Sequence, residues 1–312
     1  MLRYAIKRIL ALIPILIVVS FLIFFMVRLA PGDPAVNMVG GANTSEEILS
    51  NIRAKYHLDK SIPEQYTIWI SGVLKGDLGT SYKMNSSVVK LIGERIPITI
   101  QLLTMSVFWG VLFSIPIGVM SAVKKNTIVD KLLSVVTSLS ISSPVFFTGM
   151  VLMLIFAVNL HLLPTYGTGE NILENFRYML LPSLALGVNM VAMNARTLRS
   201  SMIQAMESNY VQTAIAKGVS RRSIILKHAL KNSWIPFITI SGVQVASLLG
   251  GTSIIETTFS INGIGSLLIN GVNTTDYSVV QGLALVIVIA ILLINLLVDI
   301  ICGLIDTRIQ LK

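Results

Sequence analysis

The chain has 312 residues, of which 54% are hydrophobic and only 12% are charged. The charged fraction is about half that of an ordinary soluble protein, so the composition indicates a membrane protein. The formal net charge of +9 requires no nucleic-acid partner, because lysine and arginine accumulate in the cytoplasmic loops of membrane proteins. The single cysteine, Cys302, excludes an intramolecular disulfide.

The N-terminus is basic and is followed by an apolar run that is longer than the core of a usual signal peptide. Arg28 ends this run, and the residues that follow are Leu29-Ala30-Pro31-Gly32. They do not form the small-residue site at which a signal peptide is cleaved. Residues 1–29 are therefore predicted to form a short N-terminal tail and an uncleaved first transmembrane helix.

Six apolar segments are each near or above the roughly 20 residues that a helix needs to cross the hydrocarbon core. They are Ile9–Val27, Ile98–Val123, Leu132–Val158, Met179–Leu198, Ile235–Ile255 and Val279–Ile305. The fourth is the weakest prediction, because it carries Asn189, Asn194 and Arg196. Pro116 and Pro144 fall inside the second and third segments, where packed neighbours are expected to satisfy the freed carbonyls. The pattern predicts an all-α polytopic membrane protein with six transmembrane helices.

The distribution of lysine and arginine orients these helices. With a cytoplasmic N-terminus, fifteen of the 24 lie in the inner segments, and the two short outer loops, residues 159–178 and 256–278, hold only Arg177. The other eight lie on or beside the long first outer loop, where the length of the loop weakens the charge rule. Both termini are therefore predicted to be cytoplasmic.

The largest segment outside the membrane is the loop at residues 30–97, which is predicted to form a helical extracytoplasmic insertion between the first two spans. Ser45–Tyr56 begins with a serine cap and two glutamates, and Ile62–Leu74 is apolar enough to be partly buried. A segment of this size is small for an independent core. We therefore expect it to cap the outer ends of the transmembrane helices.

Residues 98–305 are predicted to form a five-helix core, followed by a cytoplasmic tail at 306–312. The core contains a basic cytoplasmic loop at 199–234, which is long and charged enough to bind a partner. Within this loop a short helix of small residues is predicted to end at Gly218, since glycine reaches positive φ without penalty and lets the chain turn sharply. Ser220 is placed to cap a second helix.

Arg221 and Arg222 follow this serine and fall at the positive end of the dipole of the second helix. Such a placement is unfavourable unless an anionic partner offsets it. The loop is therefore interpreted as a docking element, although its individual cations are also typical of a loop that only sets the orientation.

The sequence contains no pattern for catalysis or for a metal site. His57, His161 and His228 fall in three different loops, and the Gly-Lys dipeptide of a nucleotide-binding phosphate loop does not occur. The apolar segments also lack the central Asp, Glu or Lys residues that proton-coupled carriers use. We therefore predict a non-catalytic protein that is driven by another, nucleotide-hydrolysing subunit.

The basic loop carries Gln212-Thr213-Ala214 and, after three further residues, Gly218. This pattern resembles the Glu-Ala-Ala signature of binding-protein-dependent ABC importer permeases. The resemblance is closer to the dipeptide, oligopeptide and nickel permeases of the first-permease type and extends along the whole chain, for example at Pro31-Gly32-Asp33-Pro34, Gly76-Asp77-Leu78-Gly79 and Asp276-Tyr277. Two departures are Gln212, which removes any salt bridge of the signature glutamate, and Asn262, where proline is usual.

The resemblance implies a type I ABC importer permease fold in a bacterial or archaeal cytoplasmic membrane. It also implies a second homologous permease, two ATP-binding cassette ATPases that hold ATP and magnesium, and an extracytoplasmic substrate-binding protein. This chain would then bind no cofactor, and its cargo would be short peptides, with nickel or another metal chelate as the alternative. A membrane scaffold or insertase-like protein with a basic docking loop is the alternative of a different class.

The resemblance places the contact with the ATPase in the first helix of the loop, at Tyr210, Thr213, Ala214, Ala216, Lys217 and Gly218. A secondary contribution is expected from Arg221, Arg222, His228, Asn232 and Pro236. Candidates for the pathway or an outer gate are Asn189, Met193, Asn194, Glu256 and Phe259. Amides between helices also serve as interhelical hydrogen-bond partners, and the last two residues equally fit packing at a helix end.

The predicted orientation can be tested with single-cysteine variants at Ser45 and Ser223, made in a chain without Cys302. A membrane-impermeant thiol reagent should label the first from outside and the second only after the membrane is opened, because the charge distribution places them on opposite sides. Labelling of both positions from the same side would contradict the predicted topology.

Overall fold

The computed structural model describes residues 2–29, 35–36, 45–169 and 171–305, so the motif at 31–34 and the tail at 306–312 lie outside it. In the described ranges the chain forms helices and one antiparallel hairpin. They are α1 (Leu2–Arg28), α2 (Glu46–Lys55), α3 (Ile62–Leu74), β1 (Thr80–Ser81), β2 (Ser86–Ser87), α4 (Val88–Val123), α5 (Ile128–Ser142), α6 (Val145–Leu152), α7 (Ile172–Met206), α8 (Asn209–Ala216), α9 (Arg221–Thr258), α10 (Ile264–Asn273) and α11 (Tyr277–Ile305).

Five helices are long and apolar enough to cross a membrane, namely α1, α4, α7, α9 and α11. The predicted third span corresponds to α5 and α6, and α6 continues into a π-helical segment at Met153–Asn159. The prediction of an all-α polytopic membrane protein is confirmed. The apolar segment predicted at Leu132–Val158 is broken in the structure, where the chain bends by 111° between α5 and α6, and the predicted six spans are reached if this bent pair counts as one.

The break lies at Pro144, which was expected to be tolerated inside the helix. The ring of a proline disfavours the helical conformation of the preceding residue, and Ser143 accordingly has ψ = 128°. Pro144 then stands directly before the first turn of α6. Pro116, by contrast, remains inside α4, as predicted.

The central element of the bundle is α7, which packs along α4 and α9. Small residues allow the backbones to approach closely: a Cβ on Gly118 would lie 2.9 Å from the carbonyl oxygen of Ala195, and one on Gly187 would lie 2.8 Å from that of Ser106. Among the five candidate spans α7 is the least apolar and the most enclosed. The hydropathy of the fourth predicted span is therefore low because this helix faces protein rather than lipid.

The segment before α4 packs against the same end of the bundle as α10 and the start of α11. Ser81 Oγ donates a hydrogen bond to Asp276 at 2.5 Å, and the Tyr82 hydroxyl donates to the carbonyl oxygens of Thr274 and Thr275 at 2.9 and 2.8 Å. Burial also raises the pKa of Tyr82 above its ordinary value, which is consistent with a hydroxyl that donates in an enclosed site. These contacts join the segment to the ends of α10 and α11, and its assignment as an extracytoplasmic cap stays a prediction.

The helix of the second span begins before the predicted apolar segment at Ile98–Val123, because α4 starts at Val88. Ser87 caps the helix by accepting a hydrogen bond from the Lys90 N–H at 3.2 Å. The extra turns belong to a separate small core, in which Leu91 of α4 is buried together with residues of α10 and α11. Packing rather than hydropathy therefore determines where this helix begins.

Candidate functional site

The basic loop folds as a helical hairpin, formed by α8 and the first turns of α9. Gly218 joins these helices at φ = 77°, a left-handed conformation that side chains disfavour, so the predicted turn is present. Ser220 accepts a hydrogen bond from the Ser223 N–H at 3.4 Å and caps α9, as predicted. α9 then continues through a π-helical turn at Ile224–Ala229.

One face of α8 is anchored to the bundle. Val211 is 1% exposed. The Asn232 side-chain amide donates a hydrogen bond to the Tyr210 hydroxyl at 2.6 Å and links α8 to α9. Tyr210 and Asn232, which were predicted to contact a partner, are both exposed, and their hydrogen bond braces the hairpin at its surface.

The other face of α8 is open. Thr213, Ala216 and Lys217 are exposed, whereas Ala214 is half-buried. A Cβ on Gly218 would meet no heavy atom within 4 Å. The exposed Thr213 and Ala216 are small and Gly218 has open space beside it, so another protein can approach this face closely.

The secondary residues of the loop fall into two groups. Arg221 and Arg222 are exposed, and within the described residues neither forms an ion pair. His228 and Pro236 are half-buried, and Ala229 between them is fully buried in a cluster that joins α4, α7 and α9. Among these secondary residues, the two arginines therefore supply the exposed positive charge.

The most strongly bonded polar site near the loop was missed by the sequence analysis. Arg199 of α7 contacts both carboxylate oxygens of Asp130 on α5 at 2.7 Å. Asp130 is 3% exposed and also accepts hydrogen bonds from Ser121 Oγ of α4 and from the Asn126 N–H. Opposite charges in two apolar helices were a usable signal, but 69 residues of sequence separate the partners.

The candidate gate residues lie at the opposite end of the bundle and are enclosed by packing. Glu256 is fully buried and accepts hydrogen bonds from Thr99 Oγ1 at 2.7 Å and from the Ser266 N–H at 2.8 Å. Phe259 is 1% exposed, and its ring closes over Gly149 of α6. Both residues join several helices, so a gate role stays a prediction beside a packing role that the contacts explain.

The candidate pathway residues do not share one face. Asn189 and Met193 lie one turn apart on α7 and are half-buried. Asn194 is fully buried between α7 and α9, where its amide donates a hydrogen bond to Ser241 Oγ at 2.9 Å. Asn194 is thus an interhelical hydrogen-bond donor, but its side-chain oxygen, like that of Asn189, has no partner among the described residues, and a pathway role stays a prediction for Asn189, Met193 and Asn194.

Removal of one partner of the Asp130–Arg199 pair should destabilise the protein markedly. Arg199→Gln leaves a buried carboxylate without its cation, which costs roughly 3 kcal/mol. The neighbouring ion pair of Lys125 with Glu207 is an internal control, since its side chains are 43% and 62% exposed. Lys125→Gln should cost less than about 1 kcal/mol. Denaturant unfolding of the purified variants in detergent measures both, and equal losses would contradict the assignment.

Two protein families match this chain. The family described as "Binding-protein-dependent transport system inner membrane component" matches residues 114–311. The family described as "Binding-prot-dependent transport system membrane comp, N-term" matches residues 1–104.

The chain is also similar to individual proteins. The glutathione transport system permease protein GsiC of Salmonella typhimurium is 38% identical over 312 residues, which are 100% of both chains. GsiC of Escherichia coli K12 is 37% identical with the same coverage.

Two solved structures share the fold. The inward facing MetNI methionine ABC transporter matches with a TM-score of 0.55 and 16% identity, over 69% of this chain and 96% of that one. An amino acid ABC transporter solved with histidines matches with a TM-score of 0.51 and 17% identity, over 70% of this chain and 94% of that one.

Proposed function

Because the chain belongs to the inner-membrane components of binding-protein-dependent transport systems, we propose that it is the permease subunit of an importer of short peptides. Family membership decides against the membrane scaffold that the basic loop alone left open. The proposal of a peptide cargo rests on the full-length similarity to glutathione permeases, since glutathione is a tripeptide. The same similarity favours peptides over nickel or other metal chelates.

The proposed complex contains this chain, a second homologous permease, two ATP-binding cassette ATPases and an extracytoplasmic binding protein. ATP and magnesium belong to the ATPases, and this chain is non-catalytic and binds no cofactor. The complex resides in a bacterial or archaeal cytoplasmic membrane, with both termini of this chain in the cytoplasm. The family description supports the binding protein, and the charge distribution supports the orientation.

The free face of α8 is the proposed contact with an ATPase. Its members Thr213, Ala216 and Lys217 are exposed, and Gly218 leaves open space beside them. Small side chains permit the close approach of a second surface that a helix lying in a groove needs. Ala214 is half-buried, so it supports this face from below and contributes less to the contact itself.

Movement of α8 has two routes into the membrane. One is the short turn after Met206, through which α8 is continuous with α7. The other is the hydrogen bond from Asn232 to Tyr210, which links α8 to α9. A displacement of the docked helix therefore acts on the two helices that form the centre of the bundle.

The pathway is proposed to run along the face of α7 that carries Asn189 and Met193. Both residues are half-buried, and the Asn189 side-chain oxygen has no hydrogen-bond partner among the described residues. This oxygen is enclosed in the structure, so it would accept a hydrogen bond from a peptide backbone only when the bundle opens. The second permease would close this face from the opposite side.

The energy for uphill transport is proposed to come from ATP. Binding of ATP draws the two ATPases together, and the hairpin converts this closure into a switch between inward-open and outward-open bundles. Such a shift requires a ligand that binds one state more strongly than the other, and ATP supplies that difference.

Ala216→Trp tests the coupling contact. The indole adds bulk to an exposed face without burying it in the bundle, so the two surfaces are held apart. Co-purification of the ATPases should fall by about tenfold or more, as for the truncation of an interface hot spot. Gln204→Trp, at an exposed position on α7 outside the hairpin, is the control. Gly218→Trp is less informative, because its positive φ would be strained in any case.

The transport activity is tested with the complete transporter and its binding protein in liposomes. Labelled glutathione and dipeptides should accumulate only when ATP is present on the ATPase side. The permease pair alone should move no substrate under an imposed proton gradient. Uphill uptake driven by the gradient would indicate a secondary transporter, and uptake of a nickel chelate without any peptide would favour the alternative cargo.

A further inference from the structure

An apolar groove lies between the C-terminal end of α4 and the first turns of α9. It has a volume of about 520 Å³, and Pro116 and Met120 of α4 face Leu226 of α9 across it. Three cations, Lys124, Arg221 and Arg222, also line this groove. The groove therefore combines an apolar floor with a positively charged rim.

The floor of the groove belongs to the membrane. Pro116 and Met120 lie in the last two turns of a transmembrane helix, which ends at Val123. Met120 is 42% exposed and Leu226 is 47% exposed, so neither is covered by the rest of the chain. A groove of this kind in the hydrocarbon region is filled by acyl chains at little cost, because the groove and the chains are both apolar.

The rim of the groove lies where the span meets water. Lys124 directly follows α4, and Arg221 and Arg222 form the first turn of α9, where the helix dipole adds further positive potential. None of the three forms an ion pair in the part of the chain that the structure describes. Three cations around one groove repel each other, and a phosphate held between them removes this repulsion.

We propose that the groove binds an anionic phospholipid of the cytoplasmic leaflet. The phosphate lies between Lys124, Arg221 and Arg222, and one acyl chain lies along Pro116, Met120 and Leu226. Basic pockets between transmembrane helices at the cytoplasmic side bind anionic headgroups by this combination of charge and apolar surface. The lipid anchors the start of α9 to the membrane surface beside the hairpin.

A lipid fits this groove better than the other anionic partners. An acidic surface of a soluble protein reaches the rim but not Pro116, which lies eight residues before Lys124 and thus about 12 Å deeper along the helix. Free phosphate satisfies the cations but leaves the apolar floor unfilled. An amphiphile with a negative headgroup contacts both parts at once.

Native mass spectrometry of the purified transporter tests this proposal, by titration with dioleoyl-phosphatidylglycerol or dioleoyl-phosphatidylcholine. We expect one phosphatidylglycerol to bind at least about tenfold more tightly than phosphatidylcholine, since each nearby cation contributes to binding of an anionic lipid. The double variant Arg221→Gln with Arg222→Gln should abolish this preference. The matched control is Lys227→Gln with Lys231→Gln, which removes the same charge from exposed positions of α9 outside the groove and should retain the preference.

Four results would overturn the proposal. An equal loss in the lysine control would show that only the total charge matters. Persistence of phosphatidylglycerol binding in Met120→Trp, which fills the floor, or equal displacement by inorganic phosphate would show that no acyl chain occupies the groove. Unchanged lipid binding combined with loss of the ATPases from the arginine variant would assign the two arginines to the protein contact instead.

Discussion

The packing of α7 against α4 and α9 is the constraint on which the rest of the structure depends. Lipid tails are as apolar as the side chains of the helices, so the hydrophobic effect does not drive the helices together in the membrane. Their association relies on close packing and on interhelical hydrogen bonds. Gly118 and Gly187 provide the first, because a side chain at either position would meet the backbone of the facing helix. The bond of Asn194 to Ser241 provides the second.

Polar clusters fasten the bundle at both ends. At one end Asp130 and Arg199 join α5 to α7, with Ser121 of α4 as a third member. At the other end the Glu256 carboxylate joins α4, α9 and the start of α10 through Thr99 and the backbone. Buried charges with complete hydrogen bonding have defined geometry, so we expect each end to move as a unit when the hairpin is displaced.

The residues of the candidate site differ in how far the sequence could predict them. The turn at Gly218 and the cap at Ser220 were predicted, because both depend on the conformational preferences of one or two residues. The Asp130–Arg199 pair was missed, since its partners come from different helices. The hydrogen bond from Asn194 to Ser241 was also missed. Asn189 and Asn194 are both amides in the same helix, and only the neighbouring helices determine which of them finds this partner.

The sequence by itself determined the class of the protein, its apolar segments, its charge asymmetry and the motifs of its family. All of these follow from composition or from residues that are close in the chain. The tertiary structure decided that the span at Leu132–Val158 is bent at Pro144 and that the least apolar span lies at the centre. It also decided that Tyr210 and Asn232, which are 22 residues apart in sequence, form a hydrogen bond across the hairpin. These outcomes depend on which helix faces which, and that is set by packing between segments far apart in sequence.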